Sequence, residues 1–228
     1  MPVRRFGRAL QSHLIYAQVG IRALRRRPRL RRALRELREL GAASPSSELL
    51  ARLTYAWGNE KYAASPAFLA ATVEATRLVD GAILECGSGL STLVLGIEAE
   101  KRGLHVYSLE QSGRWVRRVR RALDHHDVRD VEIAHAPVRR FEGYVWYGIS
   151  PAALPPSFGL VVCDGPAQYE GGRYGLLPAL RDRFGPNTVI LLDDAVRERG
   201  VLVRWADEFG AAWRLEGTEK PFASVRLA

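Results

Sequence analysis

The sequence predicts an α/β fold: a mostly parallel sheet with helices on both faces and an antiparallel C-terminal hairpin. Three observations carry that prediction. After Gly81, continuous runs of Val, Ile and Leu alternate with helical stretches, the pattern of strands buried on both faces. These runs end in polar residues, several of them acidic. The last two runs, "AWRLEG" and "FASVRLA", have only "TEKP" between them, too short for a crossover and sufficient for a hairpin.

Residues 1–40 come first and differ from the rest. Phe6, Leu10, Leu14, Ala17, Ile21 and Leu24 recur at steps of three and four, a helical stripe. Pro28 is expected to end that helix, and Leu30, Leu34, Leu37 and Leu40 to carry a second. Gly41 and "AASPSS" (42–47) read as a linker, so residues 1–46 form a basic helical extension and 47–228 the main domain. "SSELLARLTYAW" follows as a capped helix. "SPAFLAATVEATRLVDG" is another, with Ser65 as N-cap and Pro66 in the first turn.

From Gly81 onward the strands are "AILEC" (82–86), "HVYSLEQ" (105–111), "VEIAHAPV" (131–138), "GLVVCDGP" (159–166) and "TVILLDDA" (188–195), then the closing pair. The helices between them are expected at about 91–102, over "GRWVRRVRRALDHH", at 173–184 and at 196–209. The stretch "RRFEGYVWYGISPAALPPS" between the third and fourth strands is left as a long aromatic loop.

Bulk properties bound the function. The chain has 228 residues and 47% hydrophobic content, enough for a globular core. Two cysteines, Cys86 and Cys163, lie inside strand-like runs and make no disulfide framework, which suits a reducing, cytoplasmic setting. No signal peptide or membrane-spanning run is visible. The net charge is +9, and twelve arginines against two glutamates in residues 1–40 account for all of it. The basic character therefore belongs to the extension and not to the main domain.

Polar residues gather where open parallel sheets bind ligands, beyond the carboxyl ends of the strands. Glu85, Gly87 and Gly89 end the first strand, Glu110 the second, Asp164 the fourth, and Asp193 with Asp194 the fifth. A dinucleotide loop would be G-x-G-x-x-G cradling a pyrophosphate. Here Thr92 stands where the third glycine would be, and Glu85 would repel a pyrophosphate. A carboxylate at 85 suits a cationic ligand, and Glu110 suits a ribose diol. Ribose plus an amino acid, without phosphates, describes S-adenosylmethionine.

"LECGSGLST", "VYSLEQS", "LVVCDGP" and "VILLDDA" resemble, in this order and spacing, the successive motifs of class I S-adenosylmethionine-dependent methyltransferases. The resemblance covers about residues 55–228 and implies a Rossmann-like sheet of seven strands with a reversed last hairpin. It implies that Gly87, Ser88, Gly89 and Ser91 approach the cofactor, that Glu85 faces its amino acid end, and that Glu110 and Gln111 lie at the ribose. Ala136 would sit near the adenine, with His135 where the family often has an acid, and Asp164 would also contact the cofactor. Asp164, Asp193 and Asp194 are similar to the magnesium-binding acids of the catechol and macrolide-sugar O-methyltransferases, although "DGP" departs from that pattern. Hard oxygen ligands suit Mg2+, and a bound metal acidifies a coordinated hydroxyl. Without a metal, Asp164 serves as base or clamp and Asp194 as helix N-cap.

Methylation of a small-molecule or glycan-type hydroxyl is the expected activity, with Asp164 and Asp193 as catalytic residues. Trp146, Tyr147 and Arg173 are candidates for the acceptor site, the aromatics as a wall or lid or else as a hydrophobic plug. Aminopropyl transfer on the same fold and a nucleic-acid methyltransferase or binding protein using the basic segment are the alternatives. The arginine-rich extension fits an anionic membrane surface, nucleic-acid phosphates, a homodimer hairpin, or a solvated face. The scarcity of aromatics among its arginines favours membrane or packing over base recognition.

Overall fold

The computed structural model describes residues 21, 24–60 and 63–227. The apolar stripe from Phe6 to Ala17 lies outside the described residues. A first helix, α1, covers 24–39. It is followed by α2 (Ser47–Trp57) and α3 (Pro66–Leu78). Both begin as their sequences require. Ser46 Oγ accepts from Leu49 N at 3.1 Å, and Ser65 Oγ accepts from Phe68 N at 3.1 Å with Pro66 in the first turn.

The remaining order is β1 (Ile83–Cys86), α4 (Leu90–Glu100), β2 (Val106–Glu110), α5 (Gly113–His125), β3 (Val131–His135), β4 (Val138–Arg140), β5 (Val145–Tyr147), β6 (Phe158–Cys163), α6 (Leu176–Leu180), β7 (Phe184–Leu192), α7 (Arg199–Phe209), β8 (Ala212–Glu216) and β9 (Phe222–Arg226). Seven strands form one sheet in the order β3-β2-β1-β6-β7-β9-β8. β1 pairs parallel with both β2 and β6, while β9 runs antiparallel to β7 and β8. Strand order reverses between β1 and β6, which places the switch point beside Cys86 and Cys163.

The period of two along each strand divides the core into two layers. Ile83, Leu160, Val162 and Leu191 pack under α1 to α5, whereas Leu84, Val161, Cys163 and Ile190 pack under α6, α7 and the β4–β5 hairpin. Cys86 and Cys163 are paired in register, buried and free of any disulfide.

Three expectations change. The described helix passes through Pro28 instead of stopping there. A proline costs a helix interior ~3 kcal/mol, and here side chains on both sides hold the helix down. Arg26 donates to Tyr55 O at 2.6 Å, pairs with Glu60 and stacks 3.8 Å above the Tyr55 ring. Leu30, Leu34 and Leu37 are buried, and each such leucine contributes about 1.5–3 kcal/mol. Second, the aromatic segment between β3 and β6 is not a plain loop. Val138–Arg140 and Val145–Tyr147 form a two-stranded antiparallel hairpin, with Phe141 and Tyr144 stacked at 5.1 Å across its turn. Third, the helix expected over 173–184 shrinks to Leu176–Leu180, because Phe184 already pairs with Phe158 as the start of β7.

Candidate active site

β1 delivers Glu85 onto the α4 side of the sheet, where the side chain is 0% exposed. Its Oε1 accepts from Ser91 Oγ at 2.7 Å. Its Oε2 accepts from Thr92 Oγ1 at 2.7 Å and from Ser108 Oγ at 2.6 Å. Thr92 Oγ1 in turn accepts from Gly89 N at 2.7 Å. The carboxylate therefore braces the start of α4 from beneath. Burial pushes it up to about 7, against the pull of the three hydroxyls.

Between those anchors the chain makes a tight turn. Gly87 has φ +91°, and a Cβ there would stand 3.0 Å from Gly165 N and 3.2 Å from Gly165 Cα. Only a glycine fits both the backbone angle and the contact. A Cβ at Gly89, by contrast, would meet nothing within 4 Å. The space over Gly89 is open.

Glu110, at the end of β2, grips the same turn from the other side. Its Oε2 accepts from Ser88 N and Ser88 Oγ, each at 3.1 Å, and its Oε1 accepts from Ser112 N at 2.8 Å. Burial raises it to about 7, opposed by those bonds. Behind the turn, the Trp115 indole donates to Ser88 O at 2.5 Å. Gln111 donates to Glu170 Oε2 at 2.8 Å, while its Oε1 is buried without a partner. Ala136 is buried and donates its N–H to Glu110 O at 2.9 Å. His135 Nε2 lies 3.2 Å from Gln111 O, a strand-end contact.

Asp164, Asp193 and Asp194 converge, with one oxygen from each within 4.8 Å of the others. Arg173 stands among them at 1% exposure. Its Nη2 donates to Asp164 O at 2.7 Å, Asp164 Oδ1 at 2.9 Å and Asp194 Oδ2 at 3.2 Å, and its Nη1 bonds Asp193 O. Lys220, from the β8–β9 turn, lies 3.4 Å from Asp193 Oδ2 and 3.7 Å from Asp194 Oδ1, and Arg197 pairs with Asp194 Oδ2 at 2.5 Å. Burial opposes it, but Lys220, Arg173 and Arg197 together hold Asp194 below its ordinary value. Asp164 is the outer member, with a quarter of its side chain exposed. Loss of solvent pushes it up to about 7 against the pull of Arg173, and Asp193 adds to the rise.

Three candidates for the acceptor site turn inward. Trp146 and Tyr147 are each 1% exposed and pack edge-to-face at 5.0 Å in the core. Tyr147 Oη lies 2.5 Å from where a Gly165 Cβ would be, so the pair forms a floor behind the Gly87–Gly165 contact and corrects the lid expectation. Arg173 commits both terminal nitrogens to the aspartates while its Nε is buried without a partner, so it serves as an internal clamp.

A family model described as "Methyltransferase domain" matches residues 84–195, a span that contains Glu85, the glycine turn, Glu110 and all three aspartates. The chain carries a methyltransferase domain on the class I S-adenosylmethionine-dependent fold. Solved structures support the fold. A precorrin-6Y C5,15-methyltransferase from Geobacter metallireducens GS-15 is 17% identical with TM-score 0.54, covering 74% of this chain and 91% of its own. The SAH-bound methyltransferase PaMTH1 of Podospora anserina is 16% identical with TM-score 0.56, covering 86% and 88%. An O-methyltransferase from Bacillus cereus in complex with SAH is 17% identical with TM-score 0.54, covering 83% and 94%. No curated protein sequence matches this one.

The methyltransferase's residues fit its cofactor. Open space over Gly89, the unpaired Gln111 Oε1 and the Glu110 carboxylate supply room and acceptors for a ligand rich in hydroxyl and amino groups. Glu85 makes its hydrogen bonds inside the protein, on the turn it braces, and not toward the amino acid end of a cofactor as the resemblance implied. The same test goes against a magnesium ion as the triad stands. Arg173 already bonds one oxygen each of Asp164 and Asp194, Lys220 lies 3.4 Å from Asp193 Oδ2, and two cations beside the triad would repel a third.

Ser108, Gly165, Trp115 and Lys220 escape the sequence reading. Ser108 carried a signal, since a hydroxyl interrupts the apolar "VYSLE" run directly opposite Glu85 in the ladder. Lys220 carried none, because its partner Asp193 is 27 residues away.

Proposed function

We propose that the methyltransferase acts on a hydroxyl of a small-molecule or glycan-type acceptor, with Asp164 taking the proton and no divalent metal taking part. S-adenosylmethionine supplies a methyl group already activated on a sulfonium. The protein's task is then to align the acceptor and remove its proton. The observation that carries the reading is Asp164 itself. It is the triad member most open to solvent, it adjoins the Gly87–Gly165 contact, and its carboxyl is raised to about 7, where a general base works best. Arg173 and Lys220 would hold the neighbouring aspartates in place and balance their charge. The similar Bacillus cereus protein is an O-methyltransferase, which supports oxygen as the acceptor atom.

The spacing within the triad supports a second reading, in which Asp164, Asp193 and Asp194 would hold a divalent ion that acidifies the acceptor hydroxyl once Arg173 and Lys220 give way. Turnover of hydroxylated acceptors in EDTA separates the two. Unchanged S-adenosylhomocysteine formation is expected, and loss restored by magnesium would overturn the metal-free reading. Asp164→Asn should lower kcat about 100-fold or more while calorimetric affinity for S-adenosylhomocysteine is kept. The wild-type rate should rise as pH passes about 7. A product methylated on nitrogen or carbon would overturn the hydroxyl assignment.

A further inference from the structure

Outside the catalytic end of the sheet, the strongest feature is a groove of about 650 Å³ between α1 and α5. Arg27 lines it from α1, and Arg114, Arg117, Arg118 and Arg121 line it from α5, with no acidic residue in the lining. At its outer rim Ile21 and Leu24 are each 56% exposed. An isolated exposed leucine needs no explanation, but two aliphatic side chains framed by arginines are a pairing with a chemistry. The two helices are basic throughout. Residues 24–39 hold eight arginines against two glutamates, and α5 holds five against one aspartate.

The groove floor is fixed. Arg118 donates to Trp57 O at 2.9 Å and lies over the Trp57 and Trp115 rings at 4.7 and 4.9 Å, while its Nε is buried without a partner. Arg38 ties α1 to the end of α5 through His126 O and Asp127 O at 2.8 and 2.7 Å. The His126 ring reports the local field. Burial pushes it down to about 4, and His125, Arg38, Arg31 and Arg27 push the same way. A stable concave surface with this field is built to receive anions.

We propose that the α1–α5 groove docks the methyltransferase on an anionic phospholipid surface, with phosphate headgroups among Arg27, Arg117 and Arg121 and with Ile21 and Leu24 entering the headgroup boundary. A bilayer fits better than a nucleic acid because the exposed apolar groups at the rim are aliphatic, which insert into lipid but do not stack on bases. The groove also reaches the cofactor turn, since Trp115 lines it and holds Ser88 O. This inference stands apart from the choice of acceptor, and cofactor binding serves as its control.

Co-sedimentation of the full chain with vesicles tests it. Vesicles of 30% phosphatidylglycerol in phosphatidylcholine should retain the protein at low salt and release it in 0.5 M NaCl, and pure phosphatidylcholine should not bind. Arg117→Glu with Arg121→Glu should weaken binding about tenfold or more, since each basic residue near such a surface is worth about 1 kcal/mol. Ile21→Asp with Leu24→Asp should do the same, and both variants should keep S-adenosylhomocysteine affinity, which shows them folded. Binding undiminished in both double variants would overturn the proposal and assign the attachment to residues 1–20. Equal binding to neutral vesicles would overturn it too, as would absence of vesicle binding with retention on a single-stranded RNA.

Discussion

Glu85 commits its carboxylate to the turn above it. Ser91 and Thr92 tie it to the first turn of α4, where Thr92 also holds Gly89 N, and Ser108 ties it to β2, so its role is to preserve a shape. Its raised value also has a thermodynamic signature. Glu85 and Glu110 ordinarily titrate near 4.5 and are raised to about 7 in the fold. The native state then holds protons that the unfolded chain releases, and its stability is full below pH 4.5 and declines as pH climbs through 7. For Glu85 the loss is roughly 3 kcal/mol as an upper figure. Urea melts of the ligand-free protein should show midpoints falling between pH 5 and 8, and Glu85→Gln should flatten part of that slope. A slope that Glu85→Gln leaves intact would mean the residue is ionised throughout. The sequence made this acid visible, through its place before the glycines. Its partners were hidden, because Ser91, Thr92 and Ser108 look like ordinary small polar residues until β1, β2 and α4 come together.

Among the elements, the turns after β1 and β6 behave as one unit. Asp164 N and Gly165 N both donate to Cys86 O, at 2.8 and 2.7 Å, and the two glycine backbones touch. Gly165→Ala would set a methyl 2.5 Å from Tyr147 Oη and 3.1 Å from Gly87 Cα. Overpacking of this kind costs about 1–3 kcal/mol, and here it falls on the cofactor turn. Calorimetry should find affinity for S-adenosylhomocysteine reduced about tenfold, with partial recovery in the Gly165→Ala/Tyr147→Phe double variant as the hydroxyl is removed. Continuous apolar runs alternating with helical stretches made the seven main strands legible. The β4–β5 hairpin was not, because three-residue strands are too short to show a period and Gly143 and Pro151 read as loop punctuation.

At the scale of the molecule, the basic extension and the catalytic domain share a core. Leu30, Ala33, Leu34 and Leu37 belong to the same buried cluster as Leu93, Val94 and Val119. Lys101 Nζ bridges Leu37 O at 2.9 Å and the buried Glu98 at 2.6 Å. Leu37→Ala should therefore lower global stability by about 2–5 kcal/mol in a single cooperative urea transition. A separate early transition would show instead that α1 unfolds on its own. The stripe of leucines was readable from the sequence, but not the surface it meets, because spacing names a face and never its partner. Among the described residues, no helix is long and apolar enough to cross a membrane, so any membrane contact by α1 and α5 is made along their sides.

The position of β9 has a consequence for how the protein is made. In the sheet it lies between β7 and β8, although it follows both in the chain. While a ribosome is still delivering Phe222–Arg226, β8 has no strand to pair with and β7 keeps an open edge. Lys220 belongs to the turn that swings β9 inward, so its ammonium arrives beside Asp193 as the gap is filled. Lys220 can therefore stand beside Asp193 only where β9 lies between β7 and β8, so the last strand carries a counter-charge to the aspartates as well as closing the sheet.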